Sequence, residues 1–123
     1  MPYEYYLEST RGKFSTEAEQ RMRRTLERNP ATCRFDASTY IVFQSRQALE
    51  EQAQEILNTP ERNYYHLGQV TFFEGQVIIS AAGITEVDHH LYEFTTWALQ
   101  EFESKLYDTG REASPEEILP RND

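Results

Sequence analysis

The chain has a single cysteine, Cys33, so no disulfide can close within it. That usage suits a reducing compartment, and we expect a cytoplasmic protein. No apolar run approaches the ~20 residues that span a bilayer, so no membrane partner is expected. The opening stretch MPYEYYLESTRGK sets acids among its apolar residues and is not expected to serve as a secretory signal. Glycine is scarce: five residues, at 12, 68, 75, 83 and 110, stand too far apart for a phosphate-cradling loop of familiar type. P-loop, GxGxxG, GxSxG, CxxC and HEXXH patterns are all absent, and no cofactor is implied. Cations are outnumbered, with 12 Lys and Arg against 21 Asp and Glu for a net charge of −9. That balance argues against nonspecific affinity for nucleic acid.

What is present is enough for a folded globule. Of 123 residues, 38% are hydrophobic and 13% aromatic, far from a disordered composition. One domain is expected over residues 1–108, followed by a loosely ordered tail at 109–123.

Hydrophobic periodicity gives the element order. Tyr3, Tyr5 and Leu7 alternate with Glu4, Tyr6 and Glu8, which predicts a half-buried strand. Thr16 and Glu19 form a capping-box pattern, so a helix is expected from about residue 16 to Asn29-Pro30. Cys33 and Phe35 flank Arg34 in a short strand, which makes Cys33 a small core residue first. A nucleophilic role would need an activating base that no local signature supplies. TYIVF at 39–43 is continuously apolar and predicts a strand covered on both faces. Ser45 can cap a second helix with Leu49, Ala53, Ile56 and Leu57 on one stripe. After a loop at 58–66, Val70–Phe73 and Val77–Ile79 read as a hairpin about Glu74-Gly75. From Thr85 a long amphipathic helix follows, with Val87, Leu91, Phe94, Ala98, Phe102 and Leu106 on one face and Gly110 closing it.

The predicted fold class is therefore α+β in the order β-α-β-β-α-β-β-α. We expect a mostly antiparallel five-stranded sheet with helices packed on it, in an order related to the ferredoxin-like split unit. Val77–Ile79 is too apolar for a bare edge, so it is either interior or covered by a partner subunit.

Four groups of residues could carry chemistry. Arg21, Arg24 and Arg28 lie at i, i+3 and i+7, a basic stripe suited to carboxylate or phosphate recognition or to salt bridges on the helix surface. Tyr64 and Tyr65 could anchor an interface or close over the sheet. Glu86 with His89 or His90 has helical spacing for a metal, with His66 as a third ligand if its loop folds back. Adjacent histidines diverge by about 100° on a helix, which weakens that site. Finally, charge is lopsided: residues 1–46 balance at +2 and residues 47–123 at −11.

These features favour a small acidic, non-enzymatic interaction module over an enzyme. Its expected partner is a protein, including a second copy as a homodimer. Immunity-type inhibitors and secretion chaperones share this size and acidity, a likeness of composition only. One alternative is a small-molecule or metal-binding domain, an enzyme in one version, near His66, His89 and His90. A second is a nucleic-acid mimic in which Glu50, Glu51, Glu55, Glu93, Glu101 and Glu103 imitate phosphates.

Overall fold

The computed structural model describes residues 3–58 and 67–120, apart from the Leu57 side chain. Among them, β1 (Tyr3–Ser9), α1 (Thr16–Arg28), β2 (Thr32–Arg34), β3 (Thr39–Val42) and α2 (Arg46–Asn58) form the first half. β4 (Gly68–Phe73), β5 (Gln76–Ala81), α3 (Thr85–Glu101), β6 (Ser104–Asp108), β7 (Arg111–Ala113) and a 3-10 turn (Pro115–Ile118) complete the chain. No described helix is long and apolar enough to cross a membrane.

The class is α+β, with helices packed on one antiparallel sheet, but the sheet has seven strands rather than five. Its order is β2-β3-β4-β5-β1-β6-β7. β5 is interior, hydrogen-bonded to β4 on one side and β1 on the other, which resolves the question of its edge. Both actual edges, β2 and β7, are three residues long and offer little template for pairing. A split β-α-β unit does occur, but not among the first six elements. β1 pairs antiparallel with both β5 and β6, so those two run parallel around it, joined by α3.

The third helix ends at Glu101, with Phe102 as its C-cap, and does not reach Leu106. Leu106 instead lies on β6, opposite Leu7 of β1. Gly110 is no helix terminator. Thr109 (φ 51°) and Gly110 (φ 81°) are both left-handed and form the two-residue turn between β6 and β7. Glu74 (φ 50°) and Gly75 (φ 80°) do the same between β4 and β5, as expected. Such turns need positive φ at both central positions because their twist then matches that of the strands. Residues 109–120, expected as a loose tail, hold β7 and the 3-10 turn, whose Ile118 is 2% exposed in the main core.

Helix starts follow local chemistry. The cap of α1 is Ser15, one residue before the Thr16 expected, and its hydroxyl accepts the Ala18 N–H at 3.1 Å. Ser45 caps α2 through the Ala48 N–H at 3.2 Å. Ile84 precedes α3 with no side-chain cap. There Asp88 reaches backwards, accepting the N–H groups of Ala82 at 2.8 Å and Gly83 at 2.7 Å. This turns a buried acid into the clasp of the β5–α3 loop.

Two cores result. On one face of the sheet, Leu7, Val70, Val77 and Ile79 meet Met22 and Leu26 of α1 and Val87, Leu91 and Ala98 of α3. Gly68 permits the close approach of α3, since a Cβ there would stand 2.7 Å from Val87 Cγ1 and 2.9 Å from Leu91 Cδ1. On the other face a smaller core joins Ile41, Phe43, Ile56 and Leu67, with Cys33, Phe35, Ala48 and Leu49 packed against it. β3 is therefore covered on both sides, as its continuous apolar run predicted.

Candidate functional site

Alternation sends every other residue of β1, β4, β5 and β6 to the second face. Among the described residues, α2 builds its core at the β2–β3 end of that face. Beyond it, the register sets Thr39 opposite Thr71, Thr71 opposite Ile78, Ile78 opposite Tyr6, and Tyr6 opposite Tyr107. The result is a cross-strand row through the middle of the sheet. Thr71, Ile78, Tyr6 and Tyr107 are all partly exposed. Phe73, on the same face, is 57% exposed. Among the described residues, none on this face of β4, β5, β1, β6 or β7 is buried.

The border of this row is acidic. Glu4 and Glu8 of β1 and Glu112 of β7 share the face, with Lys105 of β6 as the cation beside them. The Tyr6 hydroxyl donates to Glu4 Oε2 at 3.1 Å. That bond and the carboxylate charge push the Tyr6 phenol above its ordinary pKa. α2, on the same side, carries Glu50, Glu51 and Glu55 against Arg46.

The opposite side of the molecule has two clefts. The first, about 680 Å³, opens between α1 and α3, with Val42 and Thr32 in its lining. Leu91, Phe94 and Trp97 contribute apolar surface, and Arg28, Arg46, His90 and Glu93 contribute charge and polarity. His90 braces this region. Asn29 Nδ2 stands 3.1 Å from His90 Nδ1, and His90 Nε2 stands 3.4 Å from the Gln44 carbonyl. Asn29 Oδ1 accepts the Ala31 N–H at 2.9 Å, which leaves its amide nitrogen to donate. His90 thus accepts at Nδ1 and carries its proton on Nε2.

The second cleft, about 540 Å³, lies where Tyr3, Asp88, Asp108, Arg111 and Glu117 converge. Arg111 bridges Glu117 at 2.6 Å and Asp108 at 3.3 Å. The Tyr5 hydroxyl donates to the Glu117 carbonyl at 2.8 Å. Burial pushes the Asp88 carboxyl above its ordinary pKa, against the opposing pull of the backbone N–H groups it accepts. Both of its oxygens are occupied by the loop, so it braces this cleft.

The described residues among those singled out from sequence fall in different places. Arg21 pairs with Glu101 at 2.6 Å and lies over the Phe102 ring at 5.1 Å. Arg24 is exposed, and Arg28 lines the first cleft, so the three arginines do not act as one row. Neighbouring Arg23 packs over Phe72 at 4.6 Å and donates to the Ala37 carbonyl at 2.9 Å. Tyr64, Tyr65 and His66 lie outside the described residues. Glu86 is exposed, and His89 contacts Glu93 at 3.0 Å and stacks beside Tyr92, away from His90. Among the described residues no group of three His, Cys, Asp or Glu could hold a metal. Burial pushes the Cys33 thiol up, which disfavours the reactive thiolate.

Of the acids considered as phosphate mimics, Glu50, Glu93, Glu101 and Glu103 are engaged by Arg46, His89, Arg21 and Arg11. Sequence reasoning did not single out Ile78, Tyr107 or Phe73 as an uncovered face. The available signal was the alternation itself, once Val77 and Ile79 were assigned to the main core. No family model, curated protein or solved structure matches this chain.

Proposed function

We propose that the protein is a non-enzymatic binding module that takes a protein partner on the partly exposed part of the sheet's second face. The observation that carries this reading is the row Thr71, Ile78, Tyr6 and Tyr107, with Phe73 beside it, partly exposed among the described residues within an acidic border. Tyrosine and phenylalanine suit interfaces because they bury large area at small rotamer cost. The border selects the partner's charge. Glu4 and Glu8, with Glu112 shared with Lys105 at 3.8 Å, favour a partner whose apolar residues are flanked by Lys and Arg, and complementary fields speed such encounters.

A second copy fits this face less well. Face-to-face pairing about a two-fold axis would bring acidic borders together, and the three-residue edge strands give little purchase for edge pairing. An acidic nucleic-acid mimic is favoured less, because three of its supposed phosphate substitutes, Glu50, Glu101 and Glu103, are held in ion pairs with arginines.

Chemical-shift mapping with a cationic Lys/Leu amphipathic helical peptide tests the reading. Amide shifts should concentrate on Tyr6, Phe73, Ile78 and Tyr107 and weaken with added salt, and an acidic Glu/Leu peptide should produce none. Shifts confined to the α1–α3 side, or equal shifts with both peptides, would sink it.

A further inference from the structure

We infer that the cleft between α1 and α3 is a binding site for a small amphipathic anion, a carboxylate or sulfonate on an aromatic or branched apolar body. The inference is independent of the protein-binding face, which lies on the other side of the sheet.

The cleft's volume of about 680 Å³ falls in the range of small-molecule sites. Its charge is opposite in sign to that of the chain as a whole. The chain carries a net charge of −9, yet the cleft brings together Arg28 and Arg46 against one acid, Glu93. Glu93 is engaged by His89 at 3.0 Å, and Arg46 is held by Glu50 at 3.0 Å. Arg28, in the last turn of α1, has no ion-pair partner among the described residues. A guanidinium presents a planar fork of donors matched to a carboxylate or sulfonate.

Behind these cations the walls are apolar. Leu91, Phe94 and Trp97 supply a surface against which a ring can pack, and Phe94 and Trp97 already lie tilted at 6.2 Å between centroids. His90 keeps the walls in place, tying the end of α1 to α3 and to the β3–α2 link.

Trp97 is the only tryptophan in the chain, so the cleft contains its own reporter. The probe is 1-anilinonaphthalene-8-sulfonate, with N-phenyl-1-naphthylamine as its uncharged counterpart. Energy transfer from Trp97 should give saturable binding of the sulfonate at micromolar to sub-millimolar concentration. The double variant Arg28→Gln/Arg46→Gln should weaken the sulfonate at least tenfold and change the uncharged probe less than twofold. Arg24→Gln, exposed and outside the lining, should leave both unchanged. Trp97→Phe should abolish energy transfer while directly excited probe fluorescence still saturates, which separates loss of the reporter from loss of the site. A cooperative thermal melt for each variant establishes that the fold is intact. Absence of saturable binding to the folded protein would overturn the inference, as would equal weakening of both probes or indifference to the arginine substitutions.

Discussion

The two faces of the sheet are built from the same strands, yet they are finished differently. On the first, Leu7, Val70, Val77 and Ile79 are almost wholly withdrawn from water beneath α1 and α3. On the second, their sequence neighbours Tyr6, Thr71 and Ile78 stay partly exposed, and among the described residues α2 builds its core at the β2–β3 end. One-sided burial is ordinary for an antiparallel sheet, but the uncovered side is then usually polar. Here it carries Ile78, Tyr6, Tyr107 and Phe73. The contrast teaches that burial among the described residues is concentrated on one face, and the proposed reading assigns the partly exposed apolar residues of the other to association.

Substitutions on the first face should break the fold before they touch binding. Leu91→Ala removes a fully buried side chain from between α3 and the sheet and should cost about 3 kcal/mol in urea unfolding. Asp88→Ala should cost about 2 kcal/mol, because the Ala82 and Gly83 N–H groups lose their acceptors. Gly68→Ala tests the close approach of α3 and should cost about 1–2 kcal/mol through overpacking against Val87 and Leu91. Ile78→Thr, central on the second face, should cost less than about 1 kcal/mol, since it keeps a β-branched side chain on a strand at a partly exposed position. A loss at Ile78 as large as that at Leu91 would mean that the second face is a core in its own right.

Asp88 adds a pH dependence to the covered side. Its folded pKa is raised above the ordinary 3.8, so the folded chain holds this proton more tightly than the unfolded one does. As pH rises from the ordinary value through the raised one, this group's contribution to stability falls, and the loss is complete above the folded pKa. The stability of the native chain relative to Asp88→Asn should therefore decline as pH rises through that window. A difference that grows with pH would contradict the buried, loop-bound carboxyl.

Much of this arrangement was written in short-range patterns. The alternation in YEYYLES, the continuous run TYIVF and the Glu74-Gly75 turn each placed a strand or hairpin correctly. β6 and β7 escaped because Phe102 and Leu106 extend the helical spacing of α3 by coincidence. The competing signal was the period-two run KLYDTGREA about Thr109-Gly110, poor in apolar residues because those strands lie near an edge. Sheet order was not legible, since it rests on contacts such as Tyr3 with Ala81, far apart in the chain. The first cleft was hidden for the same reason: Arg28, Arg46 and Trp97 come from three helices and share no local motif. Val-Ile-Ile has no polar residue to mark which side faces out, and the pleat turns its middle residue to the partly exposed face.

On the proposed reading a protein partner docks on the second face, while the first face holds the fold. Isothermal titration of the cationic Lys/Leu peptide into the double variant Phe73→Thr/Ile78→Thr, alongside urea unfolding of the same variant, tests it most directly. The account predicts at least a tenfold loss of affinity, with an unfolding free energy within about 1.5 kcal/mol of the native chain. Unchanged affinity in a folded variant would contradict it.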